Sequence, residues 1–342
     1  RSIDGIPCIA SGIPGLMEDP FLFSDYNTDN ISSLANILKE KGYQTAFFHG
    51  GNNGTMNFDA YAKMAGFDAY YGHTEYKKEE DDSEKNYDGY WGIYDHAFLQ
   101  YLAGKLNTFK QPFFVLEFTL SSHNPYKVPE EYEDKFPKTI VKIHRVVQYS
   151  DFALKQFFKT ASTMPWFKNT LFVISADHPG HSISVAENSQ IHDEHKKLND
   201  YQLKYYKNTV GRFAIPILFY FPGDSLQGKE SITIQQSDIL PSVLDYLGYN
   251  RTFIAFGNSV FNDNANHVAF EYVNGYYQII QGDYSLLFDG NSSVVLYNNK
   301  KDPDHEVNLI DEKKEIANKL ETLIKAVVEQ YNYRLIKNKL SL

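Results

Sequence analysis

The sequence predicts an α/β fold: a mainly parallel sheet flanked by helices, followed by a small C-terminal antiparallel sheet plus a helix. Three observations predict it. Up to about Asn262, almost wholly apolar runs alternate with amphipathic segments, the pattern of strands covered on both faces by crossover helices. Beyond that point short alternating runs appear (HVAFEYV, YYQIIQG, YSLLFDG, VVLYN), separated by Asn-Gly, Gly-Asp and Gly-Asn turns that read as hairpin punctuation. A helical pattern from about Glu312 to Tyr331 follows. The expected division is residues 1–262 for the α/β domain and 263–342 for the antiparallel subdomain.

Each element has a local reason. Asn30 to Lys41 reads as a helix because Ile31, Leu34, Ile37 and Leu38 share one face and Gly42 stands at the C-cap. Tyr43 to Phe48 reads as a buried strand. Lys77 to Asn86 (KKEEDDSEKN) reads as a solvated loop. Tyr94 to Leu106 is amphipathic. Pro112 to Leu120 carries FFVLEFTL, the strongest strand signal in the chain. Ile140 to Phe158 reads as a helix and Asn169 to Ala176 (NTLFVISA) as a second buried strand. Ile191 to Asn208 is polar and rich in His and Lys. Ala214 to Tyr220 reads as a strand, and Asp238 to Leu247 as a helix with Gly248 behind it.

The 342 residues suffice for one large domain or two unequal ones, and the formal charge of -10 argues against a nucleic-acid partner. With 26 Tyr and 25 Phe, either an aromatic core or sugar-stacking surfaces can be built. The one cysteine, Cys8, forms no intrachain disulfide. No apolar run is long enough to span a membrane, and the chain opens on Arg1 without a signal peptide, so it reads as a fragment or processed piece.

Polar groups stand just past the ends of three predicted buried strands. His49 follows QTAFF, His123 follows FFVLEFTLSS, and Asp177 with His178 follows LFVISA. In an open parallel sheet, ligands bind beyond the carboxyl ends of the strands, so these groups are expected along one edge. Asp177 beside His178 suits half the shell of a divalent ion, and equally suits an aspartate capping the next turn with an exposed histidine. His181, His192 and His195 follow closely, as ligand-supporting groups or as a solvated loop. Ser2, taken alone, reads as a frayed terminal residue.

In their order along the chain, these segments resemble a known family. ISADHPG resembles the Asp-His metal motif of the alkaline phosphatase superfamily. TLSSHNPY, GYQTAFFHGGN followed by MAGFD, AIPILFYFPG and SDILPSVLDYLGY resemble successive blocks of lipoteichoic acid synthases and related phosphoglycerol transferases, and RSIDGIP resembles their nucleophile block. The resemblance implies an alkaline phosphatase/sulfatase-like fold and a metal-dependent phosphotransferase or phosphodiesterase. It places Ser2 as the nucleophile that forms a covalent phospho-Ser, Ser2, Asp177 and His178 on one divalent metal, and His123 against the substrate phosphate or leaving group. An oxygen and nitrogen ligand set fits Mn²⁺, Mg²⁺ or Zn²⁺ alike, and the expected ion is Mn²⁺ or Mg²⁺ ahead of Zn²⁺. The implied substrate is a cell-envelope phospholipid or glycan phosphodiester. The implied location is extracytoplasmic, with membrane attachment through a region preceding Arg1.

The departures are specific. The family's acidic ligand on a strand upstream of the nucleophile has no counterpart here. The aromatic and arginine that line the glycerophosphate pocket fall near Met56 and Phe58. Two alternatives follow: a sulfatase of the same fold, or an envelope protein that kept the fold and lost the chemistry. A formylglycine sulfatase needs C/S-x-P-x-R, and Ser2-Ile3-Asp4-Gly5-Ile6 has neither the proline nor the arginine.

Overall fold

A computed structural model of the chain describes residues 1–81, 84–136, 138–139, 142–180, 200–223 and 226–342. The chain opens with α1 (Ser2–Ser11), which no sequence pattern announced. Gly5 and Pro7 both argue against a helix there. Tertiary burial overrides them, since Ile3, Ile6 and Ala10 are sealed in the core. Gly12 ends the helix in the left-handed region at φ 62°, where its N–H reaches Cys8 O.

Helix α2 (Leu34–Lys39) is shorter than the expected Asn30–Lys41. The reason is a capping box. Ser33 Oγ accepts from Asn36 N, and Asn36 Oδ1 accepts from Ser33 N. Ile31, left outside, forms a parallel bridge with Leu340.

Strands β1 (Gln44–His49), β2 (Ala69–Tyr71) and β3 (Phe113–Phe118) form a parallel sheet in the order β2-β1-β3. Between them lie α3 (Phe58–Met64), α4 (His73–Glu79) and α5 (Asp95–Leu106). Thus α4 occupies the start of the stretch expected to be a solvated loop. Helix α6 (Lys142–Ala161) leads to β4 (Phe172–Ser175). Helix α7 (Asp200–Tyr205) precedes β5 (Ile217–Tyr220), which pairs with β4 antiparallel. Among the described residues this is the one reversal in the α/β part, and β4 and β5 form a two-stranded sheet of their own. On β5, Leu218 and Tyr220 alternate outward and are exposed.

Both faces of β1, β3 and β4 are covered, as their continuous apolar runs require. Phe113, Val115 and Phe172 meet Phe98, Leu102 and Phe157 of α5 and α6. On the other face Phe114 and Val173 meet Leu34 and Ile37 of α2 and Leu240 and Leu244 of α8 (Ile239–Tyr246).

The C-terminal run is the expected meander: β6 (Ala269–Val273), β7 (Tyr276–Gln281), β8 (Tyr284–Phe288) and β9 (Ser293–Asn298), closed by α9 (Lys314–Ile336). Asn274 and Gly275 turn β6 into β7 with φ 51° and 84°, as a two-residue hairpin demands. Ile279, Leu286 and Leu296 are fully buried against Leu320 and Ile324, in the same apolar cluster as Ile3, Ile6 and Phe47. The meander is therefore fused through its core to α1 and β1. Among the described residues, no helix is long and apolar enough to cross a membrane.

Candidate active site

Ser2 is the first residue of α1 and only 7% exposed. Its hydroxyl donates to Asp177 Oδ2 at 2.5 Å and lies 3.4 Å from His178 Nε2. Asp177 Oδ2 and His178 Nε2 are 3.3 Å apart. Three polar atoms brought together across some 175 residues of sequence thus form a triangle with edges of 2.5, 3.3 and 3.4 Å.

Backbone packing builds this triangle. Asp177 follows the end of β4, and α1 crosses directly over it. A Cβ on Gly5 would lie 2.9 Å from the Asp177 carbonyl oxygen, so only glycine permits the approach. Gln236, in the 3-10 turn Gln236–Asp238 before α8, donates through Nε2 to both Ala176 O and Asp177 O at 2.8 Å. Asp177 Oδ1 accepts His178 N at 2.9 Å, which turns Oδ2 toward Ser2. His178 Nδ1 donates to Pro179 O at 2.9 Å, which directs Nε2 to the triangle. Arg1 turns away, its Nε bonded to Asp4 and its Nη1 donating to Glu18 O. Further along α1, Cys8 is buried, and burial followed by the charges of Asp238 and Asp4 pushes its thiol far up.

The donor set fits a divalent ion. Neighbouring ligands of a six-coordinate ion with bonds of about 2.1 Å stand about 3 Å apart, and those of a tetrahedral zinc about 3.4 Å. The triangle spans both distances. Among the described residues, no three His, Cys, Asp or Glu side chains gather as a ligand cluster, and the third polar atom of the triangle is the serine hydroxyl.

His123 is not in hydrogen-bond contact with this triangle. It sits on the loop after β3, exposed, with Nδ1 donating to Asn124 O at 2.8 Å. His49, the last residue of β1, is 3% exposed. Its Nδ1 donates to Phe118 O at 2.9 Å, its ring stacks on Phe118, and burial holds its pKa below the usual range. Phe58 is fully buried beside His49 and Phe118 and presents nothing to a substrate. His181, His192 and His195 lie outside the described residues.

Two acidic residues missed in the sequence build the His123 side. Asp95 Oδ1 accepts Leu120 N at 2.9 Å and Ser121 N at 3.0 Å, while Oδ2 accepts Ser150 Oγ at 3.1 Å. This buried carboxylate fixes the turn that carries His123. Asp88 Oδ1 accepts the amides of Tyr90, Trp91 and Gly92 at 2.7, 2.8 and 3.1 Å. Trp91 stands edge-on to the His123 ring at 4.6 Å between centroids.

The family model described as Sulfatase matches residues 2–249, from Ser2 through Asp177 and His178 to the end of α8. The chain belongs to the sulfatase family. Among curated relatives of this sulfatase-family chain, the lipoteichoic acid synthase-like protein YvgJ of Bacillus subtilis (strain 168) is 29% identical over 231 residues. That match covers 65% of the chain and 36% of YvgJ, so the chain spans little more than a third of this relative. A solved structure of an alkaline phosphatase superfamily protein from Vibrio parahaemolyticus aligns over all of this sulfatase-family chain and 77% of its own length, with TM-score 0.79 and 22% identity. The lipoteichoic acid synthase LtaP from Listeria monocytogenes aligns over 97% of the chain and 80% of its own length, with TM-score 0.76 and 19% identity. These structures establish the alkaline phosphatase/sulfatase fold, in agreement with the fold class read from the sequence.

Proposed function

We propose that this chain carries a metal-dependent phosphotransferase or phosphodiesterase centre that works through a covalent phospho-Ser2. The observation that carries the reading is the convergence of Ser2 Oγ, Asp177 Oδ2 and His178 Nε2 across some 175 residues of sequence. A divalent ion held by these three atoms, Mn²⁺ or Mg²⁺ ahead of Zn²⁺, would supply charge neutralisation for a serine alkoxide and for the nonbridging phosphate oxygens.

The residues themselves account for the rest. The Ser2 proton already points along a short bond to Asp177 Oδ2, so a carboxylate stands ready as the Ser2 oxygen attacks phosphorus. Ser2 opens a ten-residue helix, whose N-terminal amides favour the incoming phosphate charge. As the phosphorus–oxygen bond of the leaving alcohol breaks, His123 protonates the departing oxygen, an exposed role that matches its position. An acceptor hydroxyl or water then attacks phospho-Ser2 and passes its proton to His123, which lost one to the first leaving group; the Ser2–phosphorus bond breaks, and the serine oxygen takes back the proton held by Asp177.

The names of the relatives support an envelope substrate, a phospholipid or glycan phosphodiester, and an extracytoplasmic, membrane-attached enzyme. In this reading residues 1–262 carry the chemistry, and 263–342 buttress α1 from behind. The test is turnover of bis-p-nitrophenyl phosphate against p-nitrophenyl sulfate with Mn²⁺ present. Diester cleavage with little sulfate release supports the reading. Comparable or faster sulfate release would overturn it in favour of a sulfatase.

A further inference from the structure

We propose that Tyr90, Trp91 and Lys127 form a recognition platform beside His123 for a neutral sugar or polyol ring bearing a phosphate, and that the platform rejects cationic headgroups. Its place in a reaction rests on the phosphotransferase reading above. Its existence as a binding site does not.

The platform is preorganised. Asp88, only 8% exposed, gathers three successive amides, which fixes the backbone under Tyr90 and Trp91. Gly92 bridges Gly51 at the end of β1, and a Cβ on Gly92 would lie 2.0 Å from Gly50 O. The loop is therefore locked to the sheet edge. The Trp91 indole N–H donates to Asn124 O at 2.7 Å, which stops the ring from turning. Such rigidity is what a binding surface needs and what a solvated loop does not.

The surface is also costly to leave in water. Tyr90 is 57% exposed and Trp91 half-buried, whereas the other tryptophan, Trp166, is only 2% exposed. Two large rings held outward beside a proposed catalytic histidine offer apolar faces to the C–H face of a sugar ring. Lys127 sets the charge. Its Nζ donates to Asp88 O at 3.2 Å and stands 4.4 Å from the Tyr90 ring centroid. An ammonium has three donors, so two remain for a phosphate oxygen. The same charge opposes a choline or ethanolamine headgroup, which an aromatic face alone would attract.

The two tryptophans make the test direct, because Trp91 is the one a ligand can reach. Intrinsic fluorescence of the whole chain is titrated with glucose 6-phosphate, inorganic phosphate and phosphocholine. Glucose 6-phosphate is expected to change the emission saturably and to bind at least tenfold tighter than phosphocholine. Trp91→Phe, which keeps an aromatic ring against His123, removes the signal. Lys127→Ala weakens glucose 6-phosphate binding at least fivefold. No saturable change, equal affinity for phosphocholine, the same change with inorganic phosphate alone, or a signal that survives Trp91→Phe would each overturn the platform. Saturable binding without diester turnover would leave the platform standing and remove the phosphotransferase reading.

Discussion

At the α1–β4 corner, the proposed catalytic side chains bond to one another: Ser2 to Asp177, with His178 beside both. At the β1–β3 corner they bond to backbone: Asp95 to Leu120 and Ser121, Asp88 to Tyr90, Trp91 and Gly92, His49 to Phe118. The first arrangement concentrates reactive atoms on a point. The second has no reactive purpose and holds loops still. Substitutions at the first corner should therefore cost turnover with little loss of stability, and substitutions at the second should cost stability first.

Ser2→Ala gives the largest expected effect. Turnover should fall by about a thousandfold or more, as for loss of a covalent nucleophile, while stability changes by less than about 1 kcal/mol. Substantial residual labelling by a phospho-substrate in this variant would remove Ser2 from its role. Asp95→Ala is the counterpart. It strands two buried amides and the Ser150 hydroxyl, and should destabilise the fold by roughly 2–4 kcal/mol in denaturant titration. Equal loss of turnover in both variants at unchanged stability would erase the distinction between the corners.

Glu271 sharpens the comparison because its Oε1 is bonded to neither side chain nor backbone. Burial pushes its carboxyl up to about 8, against the lowering charge of Arg212. A carboxyl whose folded pKa is raised contributes stability below its unfolded value near 4.5, and that contribution is lost as pH rises toward 8. Between pH 5 and 8 the native chain should lose about 3–4 kcal/mol relative to Glu271→Gln, read from melting temperature against pH. Parallel profiles would place Glu271 in a solvated or paired setting.

The smallest effect is expected for Gly5→Ala. The added methyl meets the Asp177 backbone, displaces that residue by a few tenths of an ångström, and should weaken Mn²⁺ binding about tenfold in calorimetry. Unchanged affinity would show that Asp177 is not held by α1.

The difference between the corners also explains what could be read in advance. Asp177 and His178 were legible because they follow an unmistakable buried strand, and the meander because its turns carry Asn-Gly and Gly-Asp. Helix α1 was not legible, because Gly5 and Pro7 speak against a helix and only the core packing of Ile3, Ile6 and Ala10 reverses them. The resemblance found Ser2; its burial beneath the α1 start had no local signal. Phe58 was matched to a pocket position, yet the packing of Phe47, His49 and Phe118 draws it inside. Asp88 and Asp95 were missed because an aspartate that collects backbone amides leaves no spacing pattern in the sequence.

Cys8 has a practical consequence. The chain's one thiol is buried on α1 itself, and its anion is suppressed by burial and by Asp238 and Asp4, so it will not compete for thiol-directed reagents. Any cysteine introduced at an exposed position, Val147 for example, becomes the single attachment point for a dye or spin label without first removing a native residue.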